Sequence, residues 1–185
     1  MTAPDDSGTD DAGDRDSRGT WREDALRPRP WTHGDVVVRP FAYVHDGPVL
    51  VRVPGRDAWL GNVHAADPSQ HDESFAHVLS LTRDVQPATT RHRPFADDLD
   101  HDPVAFRTAV DDARRLLAAD GDVLVHCKAG VSRSAAVLAT ALAADEDHSF
   151  RDALGVVQRA RPVATPNPAL VESAVAYLAA TDAHP

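Results

Sequence analysis

This chain has one cysteine (Cys127), one lysine (Lys128), one methionine and four glutamates among 185 residues. A lone cysteine excludes an intrachain disulfide framework and a multi-cysteine zinc site. No apolar run approaches the roughly 18 residues of a membrane span. Residues 1–20 hold no apolar signal-peptide core, so the expected protein is soluble and cytoplasmic. Positive charge is also scarce: 19 lysines and arginines stand against 29 acids, a net charge of −10. That balance argues against non-specific binding to nucleic acid or to an anionic membrane, both of which need positive charge.

What is present is enough for a real core, since 42% of the residues are apolar and global disorder is ruled out. Of the acids 25 are Asp, and of the bases 18 are Arg. Surfaces rich in Asp and almost free of Lys look like those of salt-adapted or GC-rich organisms. This bears on folding conditions and not on chemistry. Residues 1–35 hold eight Asp, one Glu and five Arg with no apolar period, and read as an acidic, largely disordered tail. Trp21 and Trp31 are candidates for docking at the domain edge.

From Val36 the texture changes, and residues 36–185 read as one α/β domain. Val36–Val38, Phe41–Val44 and Val49–Val53 have strand composition, with Asp46-Gly47-Pro48 as a turn. Residues 72–77 suggest a short helix and Val78–Leu81 a buried strand, while 84–102 is a long polar loop of the kind that often carries function. Asp102 caps a helix with Pro103 at its first position, on which Phe106, Val110, Ala113 and Leu117 share a face. Asp120-Gly121 ends it. Asp122–His126 is a short interior strand. A second helix is expected from near Val131 to Ala144, a third from Ser149 with Asp152 as its capping acid, and a last one from Asn167-Pro168. Strands first and then strand–helix alternation point to an α/β fold.

The chemistry concentrates in His126-Cys127-Lys128-Ala129-Gly130-Val131-Ser132-Arg133-Ser134, between an apolar strand and an apolar helix. A strand-to-helix loop aims backbone N–H groups and the helix dipole at an anion. A cysteine at its mouth has its thiolate stabilised, below the free pKa of about 8.5. Gly130 permits backbone geometry that a Cβ would block. Arg133 supplies a planar fork for two phosphate oxygens, which a lysine does not. Ser134 is placed to donate to the sulfur and stabilise it as a leaving group. Together these parts describe a thiolate nucleophile in a phosphate cradle of residues 128–133, suited to phosphoryl transfer onto sulfur and hydrolysis of the thiophosphate. Arg133 and the amides supply the positive field, and the histidines show no metal-ligand spacing, so neither a metal nor a cofactor is expected.

The segment resembles the signature of the cysteine-based protein tyrosine phosphatases, most closely the dual-specificity branch: His-Cys-two residues-Gly-one residue-Ser-Arg-Ser. Trp59-Leu60-Gly61-Asn62, Val78–Leu81, Arg161-Pro162 and Pro166-Asn167 resemble further elements of that family, over roughly residues 36–180. The resemblance implies a short, mostly parallel central sheet with helices on both faces. It also implies a general acid about 31 residues before the cysteine. Asp97, 30 before it, fits a Pro-x-x-Asp pattern at Pro94-Phe95-Ala96-Asp97, and Asp98 is the alternative. By the same resemblance His126 orients the loop and tunes the sulfur, and Asn167 fixes the loop from behind or caps the last helix. Arg91 and Arg93 are either at the cleft rim or a solvated pair.

The function this implies is hydrolysis of phosphate monoesters on protein, with phosphotyrosine foremost and phosphoserine or phosphothreonine beside it. Lipid and small-molecule phosphate esters stay open as alternatives, because Cys127-Lys128-Ala129-Gly130 also resembles the loops of lipid-directed relatives. A non-catalytic phosphate-binding module is the alternative of another class. Oligomeric state has no signal here.

Overall fold

A computed structural model describes residues 31–33, 36–38 and 46–182. The chain divides into two units, Met1–Val44 and His45–Pro185. In the first, β1 (Trp31–His33) pairs antiparallel with β2 (Val36–Val38). The expected strand at Phe41–Val44, the tail over residues 1–30 and Trp21 lie outside the described residues.

The second unit is built on five strands: β3 (Leu50–Arg52), β4 (Ala58–Gly61), β5 (His77–Ser80), β6 (Arg91–His92) and β7 (Val123–His126). Their order across the sheet is β3-β4-β7-β5-β6. Only the β3–β4 pair is antiparallel, and β7 lies in the centre, parallel to both neighbours. Such a strand is buried on both faces, which is why Val123-Leu124-Val125 reads as continuous apolar residues. The pleat sends Val123 and Val125 into the main core and Leu124 into a smaller cluster with Ala65, Ala66 and Val78.

Four α-helices follow: α1 (Pro103–Leu117), α2 (Arg133–Glu146), α3 (Phe150–Ala160) and α4 (Pro168–Asp182). The covering is uneven. The α-helices share the main core, while the smaller cluster is roofed by a 3-10 helix, Val63–Ala66, with Phe75 and Ala88 packed against it. The middle helix α2 is buried from Ser134 through Ala143, and packs on α1, α3 and α4. Its Ala/Leu composition therefore lacks a polar stripe.

The caps follow the sequence. Asp102 accepts from the Val104 N–H at 2.8 Å with Pro103 at the first position, and Ser149 accepts from the Asp152 N–H at 3.2 Å. Two expectations are corrected. Residues 72–76 form no helix, since a segment so short cannot offset helix nucleation, and His77 already belongs to β5. The polar loop 84–102 contains β6, a two-residue strand too short to leave a periodic signal.

Candidate active site

The loop after β7 is fixed by what its carbonyls do. Those of Lys128 and Val131 accept from the N–H groups of Val63 at 3.2 Å and Thr165 at 2.8 Å. The Ala129 and Gly130 carbonyls accept from the Arg161 guanidinium at 3.4 and 3.2 Å, and that of Ser132 accepts from the Ala136 N–H at 2.8 Å. All five carbonyls are thus taken from outside the loop. The N–H groups of Lys128 to Arg133 meet no backbone acceptor among the described residues. A run of N–H groups turned one way at the start of a buried helix is a nest for an anion.

Gly130 makes this curvature feasible. Its φ is +65°, and a Cβ there would stand 2.9 Å from the Gly61 carbonyl oxygen. Ser132 precedes α2 in the N-cap position, yet its hydroxyl caps nothing in the helix. It donates instead to Asp97 Oδ1 at 2.7 Å and accepts from the Asn167 N–H at 2.9 Å. The Ser132 hydroxyl therefore takes none of the N–H donors in the first turn of α2.

Cys127 is buried, 2% exposed, at the base of this nest. Burial alone would raise its thiol pKa. The Arg133 charge, the Ser134 hydroxyl at 3.2 Å and the N–H groups of Ser134 and Ala129 outweigh that, and hold it below the ordinary thiol range. Arg133 donates from Nη1 to the carbonyls of Leu81 at 2.8 Å and Phe95 at 3.1 Å, which braces the fork. Its Nε is buried without a hydrogen-bond partner among the described residues. Lys128 is exposed beside the loop. His126 lies fully buried behind it, with Nε2 on the Ser80 hydroxyl. Burial, aided by the Arg133 charge, lowers its pKa to about 4, so the ring is neutral near pH 7.

The two acid candidates sit differently. Asp97 is half-buried, with its carboxylate on Ser132 and its carbonyl accepting from Asn167 Nδ2 at 3.4 Å. The Asp98 side chain is exposed, and its carbonyl accepts from His101 Nδ1 at 3.3 Å. Asn167 Oδ1 accepts from the Ala169 N–H at 3.1 Å at the start of α4, its own N–H donates to the Ser132 hydroxyl, and its Nδ2 reaches the Asp97 carbonyl.

Arg91 is exposed and Arg93 half-buried. Both face the buried Asp112 carboxylate of α1, Arg93 by hydrogen bond and Arg91 at 3.7 Å, with Arg115 on the other oxygen at 2.9 Å. Sequence reasoning did not find the Arg161 clamp or the His101 contacts, because both join segments far apart in the chain. Among the described residues no group of three or more His, Cys, Asp or Glu is placed to hold a metal ion.

A mostly parallel sheet whose central strand delivers a Cys-x5-Arg loop to the head of a buried helix defines the class of cysteine-based protein tyrosine phosphatases. Within that class the chain belongs to the dual specificity phosphatase catalytic-domain family, whose model matches residues 58–178. Mouse dual specificity protein phosphatase 19 is 48% identical over 58 residues, covering 31% of this chain and 26% of the relative. Mouse dual specificity protein phosphatase 15 is 29% identical over 117 residues, covering 60% of this chain and 50% of the relative. The chain thus spans half or less of the length of these curated relatives. The crystal structure of human DUSP28 superposes with a TM-score of 0.63 at 28% identity, covering 74% of this chain and 99% of that one.

Proposed function

We propose that this chain is a protein phosphatase acting on phosphotyrosine, and on phosphoserine or phosphothreonine, through a cysteinyl-phosphate intermediate. The observation that carries the proposal is the Cys127 thiol, held below its ordinary pKa, under a loop whose carbonyls are engaged and whose N–H groups from Lys128 to Arg133 meet no backbone acceptor among the described residues. The Cys127 thiolate attacks phosphorus, forming an S–P bond as the bond to the ester oxygen breaks. The N–H groups of residues 128–133 and the Arg133 fork hold the equatorial oxygens, whose charge they match in the transition state. Asp97, protonated, gives its proton to the departing oxygen, since an alkoxide or phenolate leaves poorly. In the second half the Asp97 carboxylate takes a proton from water, which attacks phosphorus and breaks the S–P bond. Ser134 stabilises the sulfur as it leaves.

Relatives named as dual specificity protein phosphatases support a protein substrate over a lipid or small ester. The net charge of −10, unfavourable beside anionic lipid, points the same way. Cys127 and Arg133 together support catalysis over phosphate binding alone. No helix among the described residues is long and apolar enough to cross a membrane, and we place the activity in the cytoplasm.

The test is hydrolysis of an aryl phosphate with chelator present, in low and multimolar salt. The expected result is activity that vanadate blocks and Cys127→Ser abolishes, with Asp97→Asn lowering the rate by roughly 10²–10⁴ and Asp98→Asn sparing it. Activity surviving Cys127→Ser would overturn the mechanism. No turnover in any salt, with phosphate still bound, would identify a binding module instead.

A further inference from the structure

The acid loop is held unevenly along its length. Before Asp97, Phe95 packs edge to face on Phe106 of α1 with centroids 5.9 Å apart, and its carbonyl takes the Arg133 guanidinium. Asp97 itself is fastened by Ser132 and Asn167. After it, Asp98, Leu99, Asp100 and Asp102 are all exposed, Leu99 at 76%. In their midst His101 is only 7% exposed. Its ring lies 6.5 Å from that of Phe95 and 6.2 Å from that of Phe106.

Both ring nitrogens are used. A carbonyl only accepts, so Nδ1 carries the proton to the Asp98 oxygen, and Nε2 accepts from the Ser173 hydroxyl of α4 at 2.8 Å. Packing against two phenyl rings would be served as well by leucine, which would add no polar atoms to bury. What leucine would not do is join the residue after Asp97 to α4. That helix grips the loop twice, at its start through Asn167 on the Asp97 carbonyl and farther along through Ser173, which reaches the Asp98 carbonyl by way of His101.

We infer that His101 is a positioning residue for the general acid: it ties the acid loop to α4 so that Asp97 stays over the nucleophile loop. The inference rests on Asp97 being that acid. Proton transfer to the leaving oxygen depends on placement at the ångström level, and a misplacement of about 1 Å costs up to about a hundredfold. The reaction should feel the loss of His101 most where protonation matters most.

The test compares kcat/KM for p-nitrophenyl phosphate, which has a good leaving group, with phenyl phosphate, whose leaving group resembles tyrosine with a pKa of about 10. For the full-length chain, His101→Leu is expected to lose roughly tenfold more on phenyl phosphate than on p-nitrophenyl phosphate. Iodoacetamide should alkylate Cys127 at the wild-type rate, because the nucleophile loop is untouched. His101→Asn, which can still donate to the Asp98 carbonyl, should recover part of the loss. In an Asp97→Asn background His101→Leu should add no further leaving-group discrimination. Ser173→Ala removes a single hydroxyl and should show the same discrimination in weaker form, which covers the case in which His101→Leu does not fold. Equal losses on both substrates, or a selective loss that persists in the Asp97→Asn background, would overturn the inference. If Asp97→Asn itself shows no leaving-group discrimination, the acid assignment fails and the positioning role falls with it.

Discussion

Cys127 combines two opposed influences: burial, which favours the neutral thiol, and the charge and donors around it, which favour the thiolate. The second set prevails, so alkylation by iodoacetamide should have its midpoint below the ordinary thiol value of about 8.5. Arg133→Met and Ser134→Ala should each move the midpoint upward. A wild-type midpoint at or above 8.5 would contradict this reading. His126, directly before it, has a folded pKa of about 4 against an unfolded value of 6.5. Above pH 6.5 the ring is neutral in both states and costs nothing. As pH falls from 6.5 toward 4 the unfolded chain takes the proton and the folded one does not, so stability drops by about 1.4 kcal/mol per pH unit. Urea unfolding should show this slope in wild type and a shallower one in His126→Gln. Parallel slopes would place the acid sensitivity elsewhere.

At the scale of elements, the nucleophile loop works because its neighbours absorb its carbonyls, and Gly130 is where that fit is tightest. Gly130→Ala combines a left-handed backbone with a clash on the Gly61 carbonyl, and should cost about 1–3 kcal/mol in thermal unfolding together with most of the activity. An active, equally stable variant would show that the loop tolerates another curvature. Strands β2, β3, β5 and β7, the caps at Asp102 and Ser149 and the loop itself were legible in the sequence because each has a local cause: an apolar run, a capping side chain, a fixed spacing. The roles of Arg161, His101 and Ser132 were not, since each is defined by a partner 31 or more residues away or by a hydroxyl that forgoes its usual cap. Nothing local marks Asp112 as the buried carboxylate that Arg91 and Arg93 face.

For the molecule as a whole, 25 aspartates in a chain of net charge −10 repel one another more than they are paired. Screening should relieve that repulsion, so the thermal midpoint should rise as salt is raised from about 0.01 M to 1 M, over which the Debye length falls from about 30 to about 3 Å. A midpoint that falls with salt would mean that attractive ion pairs such as Arg93–Asp112 dominate instead. The family and the sheet account for where the phosphate loop sits, but the central claim concerns a bond: phosphorus on the Cys127 sulfur. Its most direct test is mass spectrometry of the Ser134→Ala enzyme, quenched in acid during turnover of an aryl phosphate. Loss of the Ser134 hydroxyl slows departure of the sulfur, so one phosphoryl group should accumulate on the peptide containing Cys127. A phosphoryl group on another residue, or none on an enzyme that is still turning over, would contradict the mechanism.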